Sequence, residues 1–140
     1  MKFKDIDISK SLNELEKNDW GNAPDHSTRL MLKAHELRKL PLKLWTNEDF
    51  RLMILQHISL EYLVPIVLYR LAKNPFTSGE LFVGDLLNAV VSIKEDFWKQ
   101  HNDLHYELDT IIETLKIDIE TFSEILTNYN YSYELGNKME

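Results

Sequence analysis

The chain has no cysteine among its 140 residues, so disulfides and thiolate chemistry are excluded, and a reducing compartment suits it. Glycine and proline number only four each, which argues against a turn-rich all-β fold and for helices. Gly21, Gly79, Gly84 and Gly136 are scattered, so there is no Gly-rich phosphate loop. The opening MKFKDIDISK lacks the apolar stretch of a signal peptide. The longest uncharged apolar run, Tyr62–Tyr69, is far too short to span a membrane. A cytoplasmic protein with no membrane partner is the expectation. Positive charge is also in deficit. The formal net charge of -7 disfavours direct binding to nucleic acid or anionic lipid and suits a basic partner.

What is present suffices for a core. Hydrophobic residues make up 44% of the chain, and the charged fraction of 28% is too low for a disordered one. The length fits one domain, residues 1–140.

The most apolar stretch, Thr46 to Pro75, organises the rest. Thr46 is an N-cap for a helix whose third residue, Asp49, can reach back to it. Phe50, Met53, Ile54, His57 and Ile58 line one face, with His57 expected at the core edge. Ser59 is read as the cap of a second helix. There Leu60, Leu63, Val64, Val67, Leu68 and Leu71 keep a clean amphipathic period. Asn74 and Pro75 end it. Pro65 lies inside, so a kink is expected near Glu61–Pro65, with the Glu61 carbonyl left free.

Before this pair, Ser9 is read as the cap of a short helix with Leu12 and Leu15, followed by a loop through Trp20. Asp25 or Ser27 starts a helix to about Lys39. Its stripe is Leu30, Ala34 and Leu37, while Lys33, Glu36, Arg38 and Lys39 take the wetter side. Pro41 stops it. Leu44 or Trp45 can staple back on Phe50. After Pro75, Asp85 opens a helix with Leu86, Leu87, Ala89, Val90 and Ile93 inside. Another carries Leu104, Leu108, Ile111, Ile112 and Leu115. Asp118 is read as the cap of a last helix with Phe122, Ile125 and Leu126. The tail from about residue 128 is tyrosine-rich and expected to fray. The fold class is all-α, a compact bundle of about six to seven helices around one core.

Catalytic chemistry is hard to find. His101 and His105 have the i, i+4 spacing of a metal pair, but Asn102, Asp103 and Leu104 between them break the pattern H-E-x-x-H. A solvated helix face is preferred to a metal site. The serines show no nucleophile motif beside His26, His35 or His57. The expectation is a non-enzymatic binder without metal or cofactor. A metal-dependent hydrolase using His101 and His105 is the rival from another class, and a helical adaptor for some other basic protein is a second.

Five motifs point further. LRKLPL spans Leu37–Leu42, TNEDFR spans Thr46–Arg51, and QHISLEYLVP spans Gln56–Pro65. Asn74–Pro75 then precedes a Gly-containing turn. GDLLNAV follows at Gly84–Val90, with Phe97–Trp98 just beyond. In this order they resemble the helical immunity proteins of bacterial contact-dependent growth inhibition (CDI) systems, most securely from Leu37 to Trp98. Phe50, Ser59, Ser78 and Val83 depart from that pattern, which has leucine, glycine, a more acidic turn and proline in their places. The resemblance implies an antitoxin of the producing cell's cytoplasm. It implies binding to the C-terminal toxin domain delivered by sibling cells, often a nuclease, by a protein monomeric alone and heterodimeric with its toxin. A nuclease surface that grips phosphate is cationic, which suits the acidic composition.

Three surfaces pair carboxylates with aromatics, as a cationic partner requires. The first is the loop with Asp19, Trp20 and Asp25. The second is the turn from Glu80 to Asp85, placed beside the kink that carries Glu61 and Tyr62. The third is the tail with Tyr129, Tyr131, Tyr133 and Glu134.

Overall fold

Seven α-helices and no strand make up the secondary structure of the described residues, apart from two short 3-10 turns. The computed structural model describes residues 2–139, except for the side chains at 131–135 and 137–139. The helices are α1 (Leu12–Glu16), α2 (Arg29–Leu37), α3 (Asn47–Leu55), α4 (Leu60–Lys73), α5 (Asp85–Val91), α6 (Glu95–Gln100) and α7 (Asn102–Met139).

The centre is the α3–α4 pair. Thr46 caps α3 as its sequence demands: its hydroxyl accepts from the Asp49 N–H at 3.1 Å, and the Asp49 carboxylate accepts from the Thr46 N–H at 2.9 Å. Leu63, Val64, Val67, Leu68 and Leu71 of α4 are buried, while Leu60 is only half-buried. Ile66 is buried as well, so α4 is covered on most of its circumference. The helix continues through Pro65, whose ring is part of the core. Both α4 and α5 pack on α3, and α7 packs on α4 and α6. Trp45, not Leu44, is the staple: its ring centroid lies 5.1 Å from that of Phe50, and Leu44 is exposed.

Several expected boundaries shift. Ser11, rather than Ser9, caps α1, in a reciprocal box with Glu14. Thr28 caps α2 through the Met31 N–H. Ser59 precedes α4 in the left-handed conformation, φ 51°, and its hydroxyl caps nothing. His57 is exposed in the turn after α3, also at positive φ, and not at a core edge. Asp118 caps no separate helix. From Asn102 to Leu135 there is neither glycine nor proline to end a helix, and α7 runs unbroken past Asp118. At about 1.5 Å per residue it is roughly 57 Å long, against about 21 Å for α4.

Candidate partner-binding surfaces

The polar residues of the five motifs decide which side chains are left to face a partner. Arg38 follows α2 and is 1% exposed. The periodicity of α2 puts it on the wet side, but the fold encloses it with acceptors from three other segments. Its Nε donates to Asn13 Oδ1 at 3.0 Å, and its Nη1 to Glu16 Oε1 at 2.6 Å and Ser59 Oγ at 3.1 Å. Its Nη2 donates to the Asn18 carbonyl at 3.1 Å. The Ser59 hydroxyl in turn donates to Glu16 Oε1 at 2.6 Å. One guanidinium thus ties α1, the loop after it, and the α3–α4 turn to α2. The planar fork of arginine satisfies four acceptors that a lysine ammonium cannot reach together.

A second cluster joins α3 to α5. The Arg51 guanidinium clasps Glu48, with Nη2 to Oε2 at 2.9 Å, and its Nε lies 3.7 Å from Asp85 Oδ2. The buried Asp85 carboxylate accepts from the backbone N–H groups of Gly79, Leu81 and Phe82, at 2.6, 2.9 and 3.3 Å. Burial pushes its pKa up, but these three donors and Arg51 outweigh that and hold it below the ordinary 3.8. Gly79 lies flat against α3: a Cβ there would sit 2.8 Å from Glu48 Oε1 and 3.2 Å from Glu48 Cα. Gly84 takes φ 90° just before α5, a conformation that glycine adopts without strain. Asp85 therefore holds the turn together from inside and presents no charge to solvent.

The remaining candidate residues separate differently from their sequence grouping. Trp20 is half-exposed. Its ring lies 4.2 Å over the Arg38 guanidinium and edge-on to His35 at 5.2 Å. Asp19 folds the loop, its Oδ1 accepting from the Gly21 N–H at 2.7 Å and from Asn13 Nδ2 at 3.2 Å. Asp25 is exposed in the same loop. Tyr62 reaches toward α1, its hydroxyl 3.5 Å from the Leu15 carbonyl, and Glu61 beside it is exposed. Burial, then the charges of Glu61 and Glu16, raises the Tyr62 phenol above its usual pKa. Glu61 and Tyr62 therefore belong with the Trp20 loop, joined to it through Glu16, Ser59 and Arg38. The Glu80 turn lies at the opposite end of α3, about 13 Å away along that helix.

Around Glu80 the surface is mixed. A groove of about 480 Å³ is lined by Arg29, Leu30, Lys33, Thr46, Glu48, Asp49, Leu52 and Glu80. Leu81, Phe82 and Val83 stand exposed next to it. Of the tail residues, Tyr129 is an exposed position of α7, while Tyr131, Tyr133 and Glu134 lie outside the described side chains. His101 and His105 do not share a helix face, because His101 terminates α6 and α7 begins after it. His101 stacks on Phe97 at 4.4 Å, and His105 lies 3.7 Å from Asp109. Among the described residues, no three His, Asp or Glu side chains are grouped to hold a metal ion, and no helix is long and apolar enough to cross a membrane.

No curated protein and no solved structure matches the chain. The family of CDI immunity proteins matches residues 14–108, from within α1 through the buried start of α7 and across both clusters except Asn13, and the chain belongs to that family.

Proposed function

We propose that this CDI immunity protein neutralises its cognate toxin by stoichiometric binding, without catalysis, and that it does so in the cytoplasm of the producing cell. The family match over residues 14–108 carries the reading. Net acidity supports a basic toxin domain, of which a nuclease is the best-fitting class.

The surface we assign to the toxin comprises Asp19, Trp20, Asp25, Glu61 and Tyr62. It offers an aromatic plate held rigid on Arg38, with acidic groups around it, so little entropy is lost when it is covered. The Glu80 turn ranks second because Arg29 and Lys33 in its groove dilute the negative field. Asp85 is not part of either surface. The test is co-purification of the chain with its toxin domain, followed by a toxin activity assay. A one-to-one complex without toxin activity is expected. No binding at micromolar concentration would overturn the reading in favour of a helical adaptor. Recovery of the toxin after it has been chemically altered would reveal an enzyme instead.

A further inference from the structure

The turn after α4 and the exposed part of α7 enclose a cleft of about 260 Å³, lined by Asn74, Pro75, Phe76, Asp118, Ile119 and Phe122. Its walls are apolar and open: Phe76 is 56%, Ile119 54% and Phe122 62% exposed. Phe76 is nonetheless fixed in place. Its N–H donates to Asn74 Oδ1 at 3.0 Å, and its carbonyl accepts from the Ser78 hydroxyl at 2.6 Å. The Asn74 carbonyl accepts from the Thr77 hydroxyl at 2.6 Å and from the Thr77 N–H at 3.0 Å. Among the described residues, Asp118 is the only charged one in the lining, and its carboxylate has no hydrogen bond or ion pair. The charge around it has the same sign. Glu120 and Glu124 are exposed, Lys116 is paired with Glu113 at 3.2 Å, and no basic residue follows until Lys138. Two larger grooves mix the signs: Arg29 and Lys33 line the one beside Glu80, and Lys2 and Lys4 the one between α4 and α7.

We infer that this cleft receives an arginine side chain of the toxin domain, with its stem along Phe76, Ile119 and Phe122 and its guanidinium on Asp118. The inference rests on the reading that a basic toxin is bound stoichiometrically. An apolar cleft with one carboxylate calls for an apolar stem with a cationic head, the form that arginine and lysine share. Arginine fits better. Its planar head stacks on a ring face and meets a carboxylate with two parallel N–H bonds, which an ammonium cannot do. The fold uses the ring contact internally, with the Arg38 guanidinium 4.2 Å over the Trp20 ring and the Arg70 guanidinium 4.6 Å over that of Phe50. A carboxylate surrounded by water would gain little from a cation. Here the rings keep water from one side, the toxin covers the other, and the pairing strengthens as water leaves. The fixed turn loses little entropy on binding. This contact adds to the Trp20 surface and does not replace it. Glu61 stands one turn before Pro65, on the α4 face that meets α7 through Pro65, Leu68 and Ala72, and the cleft lies past the other end of that face. From Glu61 to Asn74 is about 20 Å along the axis, less than the roughly 30 Å diameter of a small domain.

Titration calorimetry against the toxin domain tests the contact. Asp118→Lys should raise Kd on the order of tenfold, and Phe76→Ala and Phe122→Ala several-fold. All three side chains are exposed in the free chain, so its melting temperature should stay the same. Glu120→Lys makes the same charge change about 200° round the helix and should weaken binding far less. Asp118→Asn together with Phe122→Ala should weaken binding by less than the product of the two single effects, since one arginine makes both contacts. Changing each toxin arginine to glutamate in turn should give one variant that binds Asp118→Lys more tightly than the unchanged toxin does. An unaltered Kd in Asp118→Lys and Phe122→Ala, or equal damage from Glu120→Lys, would overturn the inference and leave the immunity reading standing. So would the lack of any rescuing arginine. A wild type that binds no toxin would overturn both. A dimer of the chain alone in light scattering, lost in Phe122→Ala, would give the cleft to a second copy and overturn the inference as well.

Discussion

At the residue scale, the most consequential side chains are charged ones held inside. Asp85 is accepted in a buried site because three N–H groups and Arg51 stabilise its ionised form. A carboxylate with a depressed pKa stabilises the fold above its unfolded pKa, near 3.8, and loses that contribution as pH falls through the lower folded value. Asp85→Asn should therefore melt lower than wild type at neutral pH, with a gap that narrows as pH drops from about 5 to about 3. Thermal melts of both proteins across that range check it. A gap independent of pH would show that the lost bond geometry matters and the charge does not. Arg38 gives a second test. Replacing it with methionine leaves Glu16 and three polar groups without their donor, which should cost about 3 kcal/mol in denaturant unfolding. The lower end of the usual range is expected because Glu16 keeps some contact with water.

The sequence did not disclose these roles, for a physical reason. Arg38 reads as a wet-face residue because helix periodicity describes α2 alone. Its partners, Asn13, Glu16, Asn18 and Ser59, come from segments up to 25 positions away. Ser59 reads as a helix cap, yet its left-handed backbone points the hydroxyl at Glu16 and Arg38. That backbone also accounts for glycine as the usual residue at this place in the resembling pattern, since glycine enters the left-handed region without strain. By contrast, Thr46 with Asp49 is a local motif, three residues apart, and its cap was legible from spacing alone.

At the element scale, α4 carries the core. Leu68 is 1% exposed in the middle of its stripe. Leu68→Ala should cost about 2–5 kcal/mol, read as a lower midpoint in urea, because the surrounding helices collapse only partly into the space left. An unchanged midpoint would mean that α4 does not anchor the bundle. The amphipathic period identified α4 and α5 correctly, although Leu60 and Leu87 are only half-buried at their edges. α7 was harder to read. Asp118 resembles a cap by type, but capping needs a break in the backbone before it, and the residues from Asn102 onward supply none.

At the scale of the whole molecule, family membership was readable from motifs that turn out to hold the fold together. That is why the same motifs do not locate the partner surface: Arg38, Asp49, Arg51 and Asp85 are occupied with other side chains and with backbone. What remains for recognition is the net charge of -7 and its distribution. If the toxin is basic, opposite fields speed the encounter, and reversing a charge on the right face should slow it. Asp19 is a poor site for this test because it folds its own loop. Glu61 and Glu80 are exposed at opposite ends of α3, so Glu61→Lys and Glu80→Lys probe the two surfaces separately. Stopped-flow association with the toxin domain should slow several-fold for Glu61→Lys, with a smaller change for Glu80→Lys and normal melting for both. Raising salt should shrink the difference, since screening at about 0.15 M already limits such fields to roughly 8 Å. A larger effect from Glu80→Lys would move the toxin to the groove between α2 and α3. No effect from either would leave the exposed length of α7 as the remaining surface for it.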